Sequence, residues 1–213
     1  MITRKRALLI IVMSTLCVAR MGWVGRAMDQ VRQQTRTDEA VLKYGVSGRG
    51  VTVAILDRGI EWGNPDFVKP DGTTRIKWIL DMSGQSLCSP DNPPPVEYTE
   101  AQINAARQGG PLLNHRDAVG HGTATAGVAA GNGRTFADGK YRGIAPETDL
   151  IIVKLTSEGA RAHDDQPAEA AFQGCIDQAL DWLDAKISPY WDSPRSPSSI
   201  AELSGGRLTA PRQ

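Results

Sequence analysis

The sequence predicts an α/β domain with a mostly parallel sheet, on three observations. Val51-Thr52-Val53-Ala54-Ile55-Leu56 is almost wholly apolar and rich in β-branched side chains. Asp149-Leu150-Ile151-Ile152-Val153-Lys154-Leu155 has the same character, and runs that are apolar on both faces read as buried strands of a parallel sheet. Ala168, Phe172, Cys175, Ile176, Ala179, Leu180, Leu183 and Ile187 then recur at helical spacing along one face. Strands that alternate with helices give an α/β architecture.

The totals bound the answer. The chain has 213 residues, enough for one medium domain with a real core. Lys and Arg number 24, and so do Asp and Glu. A formal charge of zero argues against nucleic acid as the main partner, which would favour a basic excess. Gly at 22 and Pro at 13 point to a loop-rich globular protein, and no solenoid period repeats.

In chain order, Met1 to Arg6 is basic, and Ala7 to Ala19 is an apolar run of 13 residues ended by Arg20. That is short for a membrane span and suits a signal-peptide core, with Cys17-Val18-Ala19 as its cleavage site. Residues 1–19 are thus expected to direct export to a secreted or periplasmic location, or to act as a membrane anchor where they stay uncleaved. Residues 20–36 read as a loose polar lead-in. Thr37 or Asp38 caps a short helix through Tyr44, and Gly45 stops it. After the turn 46–50 comes the first buried strand, which ends in Asp57-Arg58-Gly59. An aspartate at the carboxyl end of such a strand stands where α/β proteins place function, although an Asx-turn would use the same residue.

Arg75-Ile76-Lys77-Trp78-Ile79-Leu80-Asp81 reads as a second, half-exposed strand, and 82–95 as a loop holding Pro93-Pro94-Pro95. Thr99-Glu100 opens a short helix that Gly109-Gly110-Pro111 closes. Next comes Val119-Gly120-His121-Gly122-Thr123-Ala124-Thr125-Ala126-Gly127-Val128-Ala129-Ala130-Gly131. Glycines on both sides of His121 let backbone and substrate approach the ring. The small residues form a slim helix, and a histidine at its start suits general base work. The strand 149–155 and a helix to Ile187 complete the pattern. Ser188 to Gln213 then holds 6 Ser, 4 Pro and 3 Arg, with no strand-like run and no helical face.

An aspartate at a strand end and a histidine at a helix start, in that order, are two parts of a nucleophilic triad. These residues resemble the subtilisin-like serine proteases, or subtilases. Val53-Ala54-Ile55-Leu56-Asp57-Arg58-Gly59-Ile60 looks like the family's aspartate motif, and Pro65-Asp66-Phe67 its usual sequel. Gly120-His121-Gly122-Thr123 is similar to the histidine motif, and Gly143-Ile144-Ala145-Pro146 with 150–155 to the strand lining the substrate cleft. The likeness spans 37–187. It implies a three-layer α/β/α fold, truncated after the strand 150–155 and the following helix. It implies a serine endopeptidase acting on polypeptides, in which Asp57 orients the histidine and His121 is the general base.

Three departures stand out. Arg58 replaces a small residue, and Ala124 replaces a second histidine. The third concerns the nucleophile. The family carries it in a Gly-Thr-Ser motif and uses a late asparagine for the oxyanion, whereas this chain has no Gly-Thr-Ser and no Asn after Asn132. The 213 residues are therefore expected to be inactive. The segment 188–213 reads as an irregular or out-of-frame tail, and the short lead-in implies either that no folded propeptide is used or that the true start lies upstream. The alternative is a non-catalytic peptide-binding or pseudoprotease fragment.

Other chemistry fits less well. His115, Asp117 and His121 offer zinc-type ligands but lie in a glycine-rich loop without regular spacing. In the family, His115 and Asp117 fall on the loop leading to the histidine motif. Gly-x-Gly-x-x-Gly is not met at 48–53, which removes a nucleotide-binding reading. No cofactor is expected. The resemblance allows a structural calcium, for which Asp66, Asp71 and Asp81 are oxygen-rich candidates without a ligand loop. Cys88 and Cys175 are expected to be separate, partly buried thiols, although export would permit a bond between them. Substrate preference and oligomeric state are not encoded in any motif.

Overall fold

The computed structural model describes residues 27–83, 94–136, 139, 141–155, 169–191 and 200–203. Helices α1 (Ala27–Gln34) and α2 (Thr37–Tyr44) precede strand β1 (Thr52–Asp57). A short 3-10 turn (Pro65–Phe67) leads to β2 (Ile76–Asp81), β3 (Val96–Thr99) and α3 (Glu100–Arg107). Helix α4 (His121–Ala130), β4 (Asp149–Lys154), α5 (Glu169–Trp191) and β5 (Ile200–Leu203) follow.

The five strands form one sheet in the order β3-β2-β4-β1-β5. β4 lies between β1 and β2 and is parallel to both, with Asp57 opposite Lys154 in one register and Asp81 opposite Lys154 in the other. β5 is parallel to β1, and among the described strands only the edge strand β3 is antiparallel, to β2. Strands apolar on both faces must be covered twice, and they are. On one side Val53, Ile55, Ile76, Ile79, Leu150 and Ile152 pack with Ile103 of α3 and with Ala126 and Ala130 of α4. On the other, Ala54, Leu80, Ile151 and Val153 pack with Cys175, Ala179 and Leu183 of α5. The result is the expected α/β/α layering around a mainly parallel sheet.

Several expectations change. The lead-in is not loose throughout: α1 is docked by Arg32, whose buried guanidinium donates to the carbonyls of Gly143 and Ile144 and pairs with Asp38 at 2.6 Å. β2 is largely buried rather than half-exposed, because β3 and β4 flank it. Between the loop expected at 82–95 and the helix that opens at Thr99-Glu100 as expected, Val96–Thr99 forms the unforeseen strand β3. Within 188–213, Ile200–Leu203 supplies a fifth strand, in register with Thr52–Ile55. A tetrapeptide with a glutamate at its centre carries no strand signal by itself; pairing with β1 decides its conformation. Cys175 is buried and disulfide-bonded, which overturns the separate thiol expected there. The signal-like residues 1–19 and the other cysteines, Cys17 and Cys88, lie outside the described residues. Among the described residues no helix is long and apolar enough to cross a membrane.

Candidate active site

Parallel β1 ends at Asp57 and α4 begins at His121, so the carboxyl end of the sheet brings together two residues 64 apart in sequence. His121 Nδ1 lies 2.7 Å from Asp57 Oδ1 and 3.0 Å from Oδ2. A carboxylate facing Nδ1 selects the tautomer with its proton there, which leaves the lone pair on Nε2. The His121 side chain is 67% exposed and that of Asp57 only 12%. An imidazole oriented from behind, with its free nitrogen outward, can take a proton from a hydroxyl.

Two glycines make this approach possible. A Cβ on Gly122 would stand 2.1 Å from the Gly59 carbonyl oxygen. Helix α4 therefore starts in direct backbone contact with the turn that follows Asp57. Gly59 itself has φ +107, a conformation L side chains rarely adopt.

Asp57 has further donors. Its Oδ1 accepts the Arg58 N–H at 2.7 Å, and its Oδ2 faces the Thr125 hydroxyl at 3.1 Å. Thr125 lies one turn after His121, whose carbonyl it also reaches at 3.0 Å. The sequence reading missed Thr125; its four-residue offset from His121 on one helix was the available signal. Asp117, weighed as a metal ligand and set aside in the sequence, has a structural role. Its Oδ2 accepts the N–H and the hydroxyl of Thr123, each at 2.8 Å, and its Oδ1 accepts the Gly120 N–H at 2.8 Å. It caps α4 in place of Gly120, which has no side chain to do so.

His115 does not join His121 either. Its ring is buried against Asp81, with Nδ1 2.5 Å from Oδ2. The three residues of the metal reading are thus spent on separate partners, and no group of three candidate ligands occurs among the described residues. The calcium candidates are also apart. Asp66 Oδ1 accepts the Thr135 N–H at 2.7 Å, Asp71 accepts both donors of Thr73, and Asp81 holds His115 and Ser83.

Burial pushes the Asp81 carboxyl up, but hydrogen bonds from His115 and Ser83 bring it net below its ordinary value. A carboxylate depressed on folding contributes stability that is complete above its unfolded value, near 4, and fades as pH falls through the folded one. Acid unfolding followed by circular dichroism should therefore steepen below about pH 4. Asp81→Asn should flatten that slope while lowering stability at neutral pH; an unchanged acid limb would refute the assignment. Lys154, beside this pair, is pulled below its ordinary range by burial, against the charges of Asp81 and Asp117.

The Subtilase family model matches residues 48–179. Serine protease AprX of Bacillus subtilis is 31% identical over 162 residues, covering 76% of this chain and 26% of that protein. The Intracellular serine protease of Paenibacillus polymyxa is 24% identical over 161 residues, 76% of this chain and 40% of its own. Minor extracellular protease Vpr of Bacillus subtilis is 27% identical over 115 residues, 54% of this chain and 11% of its own. This chain thus spans well under half of each of these relatives. The structure of the Clostridium perfringens CspB protease superposes with a TM-score of 0.57 at 24% identity, over 77% of this chain and 30% of that one, which shows a shared fold. The matched span contains the β1–α4 junction and both residues of the His121–Asp57 pair, and the chain belongs to the subtilase family.

Proposed function

We propose that this chain carries the acid–base half of a serine endopeptidase site. His121 is the general base that deprotonates a serine hydroxyl as it attacks a peptide carbonyl. It then returns the proton to the leaving amine, while Asp57 holds the imidazole in the Nδ1–H tautomer and stabilises the imidazolium. The observation that carries this reading is the 2.7 Å contact between His121 Nδ1 and Asp57 beside an exposed ring. The reaction runs on side-chain acid–base chemistry and calls for no cofactor. The substrate is a polypeptide.

A complete triad needs a serine nucleophile and donors for the oxyanion. The 213 residues contain no Gly-Thr-Ser and no late asparagine, and we read the chain by itself as inactive. An activity-based fluorophosphonate probe tests this. The purified chain is expected to remain unlabelled; covalent attachment to any of its serines would overturn the reading. Residues 1–19 are read as an export signal. The relatives' names do not decide location, since one is called extracellular and another intracellular. Detection of a processed chain starting near Arg20 in culture medium or periplasm would support export, and retention of residues 1–19 on a cytoplasmic product would sink it.

A further inference from the structure

Two histidines of the described residues meet a carboxylate through Nδ1, one exposed and one sealed. His115 has a side-chain exposure of 0% and its partner Asp81 one of 6%. Its other ring nitrogen is used as well: Nε2 accepts the N–H of Ile60 at 3.2 Å. An amide N–H aimed at Nε2 requires a lone pair there, so the ring proton sits on Nδ1 and goes to Asp81. Asp81 is itself held by the N–H of Ser83 at 3.0 Å and by the Ser83 hydroxyl. A carboxylate fixes the ring tautomer, as at His121, but this ring serves a backbone amide.

The amide it serves lies three residues after Asp57. Between them the chain turns at Gly59, which is pressed against the same ring. A Cβ at Gly59 would be 3.2 Å from His115 Nε2 and 2.8 Å from the Arg116 carbonyl oxygen. The carbonyl of Gly59 in turn meets Gly122, the neighbour of His121. The next two residues complete a bracket. The Arg116 carbonyl accepts from Lys154 Nζ at 2.8 Å, and Asp117 caps α4. Residues 115–117 therefore grip the turn after β1, the end of β4 and the start of α4.

We propose that His115 is a positioning residue. Held by Asp81, it anchors the Ile60 amide, sets the turn 58–60, and so fixes the distance between Asp57 and His121. This rests on the reading of Asp57 and His121 as the general-base pair. The plainer role for His115 is to fill a buried site and satisfy Asp81. The two roles use different ring nitrogens, which two amide variants separate. His115→Asn places an N–H near the Nδ1 position, so it can still donate to Asp81, but it offers nothing to Ile60. His115→Gln reaches the Nε2 position and presents a carbonyl oxygen to the Ile60 N–H.

The readout is the pair of ring 15N resonances of His121 in the 213-residue chain, with circular dichroism as a check on folding. The parent should show one protonated and one unprotonated nitrogen, with the proton on Nδ1. His115→Gln should keep this split, and His115→Asn should lose it as the two resonances average. Retention of the split in His115→Asn, or its loss only in His115→Gln, overturns the positioning role and leaves the general-base reading standing. Absence of the split in the parent overturns both. Amide hydrogen exchange of the parent gives a check that needs no variant to fold. The Ile60 amide should be protected to the level of β1, and free exchange there refutes the anchor.

Discussion

Gly122→Ala is expected to disrupt the junction between β1 and α4, at a cost of about 3 kcal/mol or more. The added Cβ would sit 2.1 Å from the Gly59 carbonyl oxygen and 3.2 Å from its carbon and nitrogen. Overpacking is usually relieved by a side chain that swings aside, but here both partners are backbone. Gly59 has no room to retreat, because its far side meets His115 and the Arg116 carbonyl. Helix α4 cannot slide freely either. Asp117 holds its start and the buried Ala126 and Ala130 hold its length. Against a typical domain stability of about 5–15 kcal/mol, the loss is large. Urea unfolding should show a lower midpoint at an unchanged slope, the mark of lost stability rather than of an altered denatured state. In whatever folded fraction remains, His121 should no longer hold its proton against Asp57. A variant within about 0.5 kcal/mol of the parent, the ordinary range of neutral surface changes, would show that this contact is not tight.

Arg75→Met should be nearly as costly, by a different route. The guanidinium is buried and donates to three backbone carbonyls: Thr148 at 2.7 Å, Asp66 at 2.6 Å, and Ala130 at the end of α4. One side chain thus ties the entry to β4, the 3-10 turn and the C-terminus of the helix that carries His121. Burial lowers Arg75 to about 10, with Asp149, Asp66 and Glu147 opposing the fall. It is therefore still a cation at neutral pH. Methionine keeps much of the length and offers no donor. Each stranded carbonyl costs about 1–3 kcal/mol, and loss of one partner from a buried charged network costs about 3–5 kcal/mol in comparable cases. For a chain of this size that corresponds to a fall in Tm of roughly 10 °C. A fall of only a degree or two would mean that water replaces the guanidinium at little cost.

The two substitutions act on the two ends of α4, and they explain how so small a helix can hold His121 in place. Its residues are Gly, Ala, Thr and Val after His121, which give little side-chain bulk for packing. Its position comes instead from backbone contact at Gly122, from the Asp117 cap, and from Arg75 at the Ala130 carbonyl.

Periodicity and composition were sufficient for β1, β4 and α5, because each carries a long apolar pattern that only one secondary structure can bury. Asp57 and His121 were legible for the same reason. Asp57 ends a recognisable strand and His121 begins a recognisable helix, and their chain order matches a triad. The edge strands β3 and β5 were not legible. Val96–Thr99 and Ile200–Leu203 have four residues each, and so short a run takes its conformation from the strand it pairs with. The docking of α1 escaped for a similar reason, since it depends on one arginine reaching carbonyls more than a hundred residues away.

What the sequence by itself determined is the layered α/β plan and the candidate pair Asp57 and His121, because both rest on local pattern and on motif order. Tertiary structure alone decided the employment of the polar residues around that pair. His115, Asp117 and His121 look interchangeable as ligands in a glycine-rich loop. Folding gives each a different partner: Asp81 and the Ile60 amide for the first, the start of α4 for the second, and Asp57 for the third. A buried polar group must find its hydrogen-bond partner in three dimensions, and that partner is set by which chain ends the sheet brings together, not by neighbours in sequence.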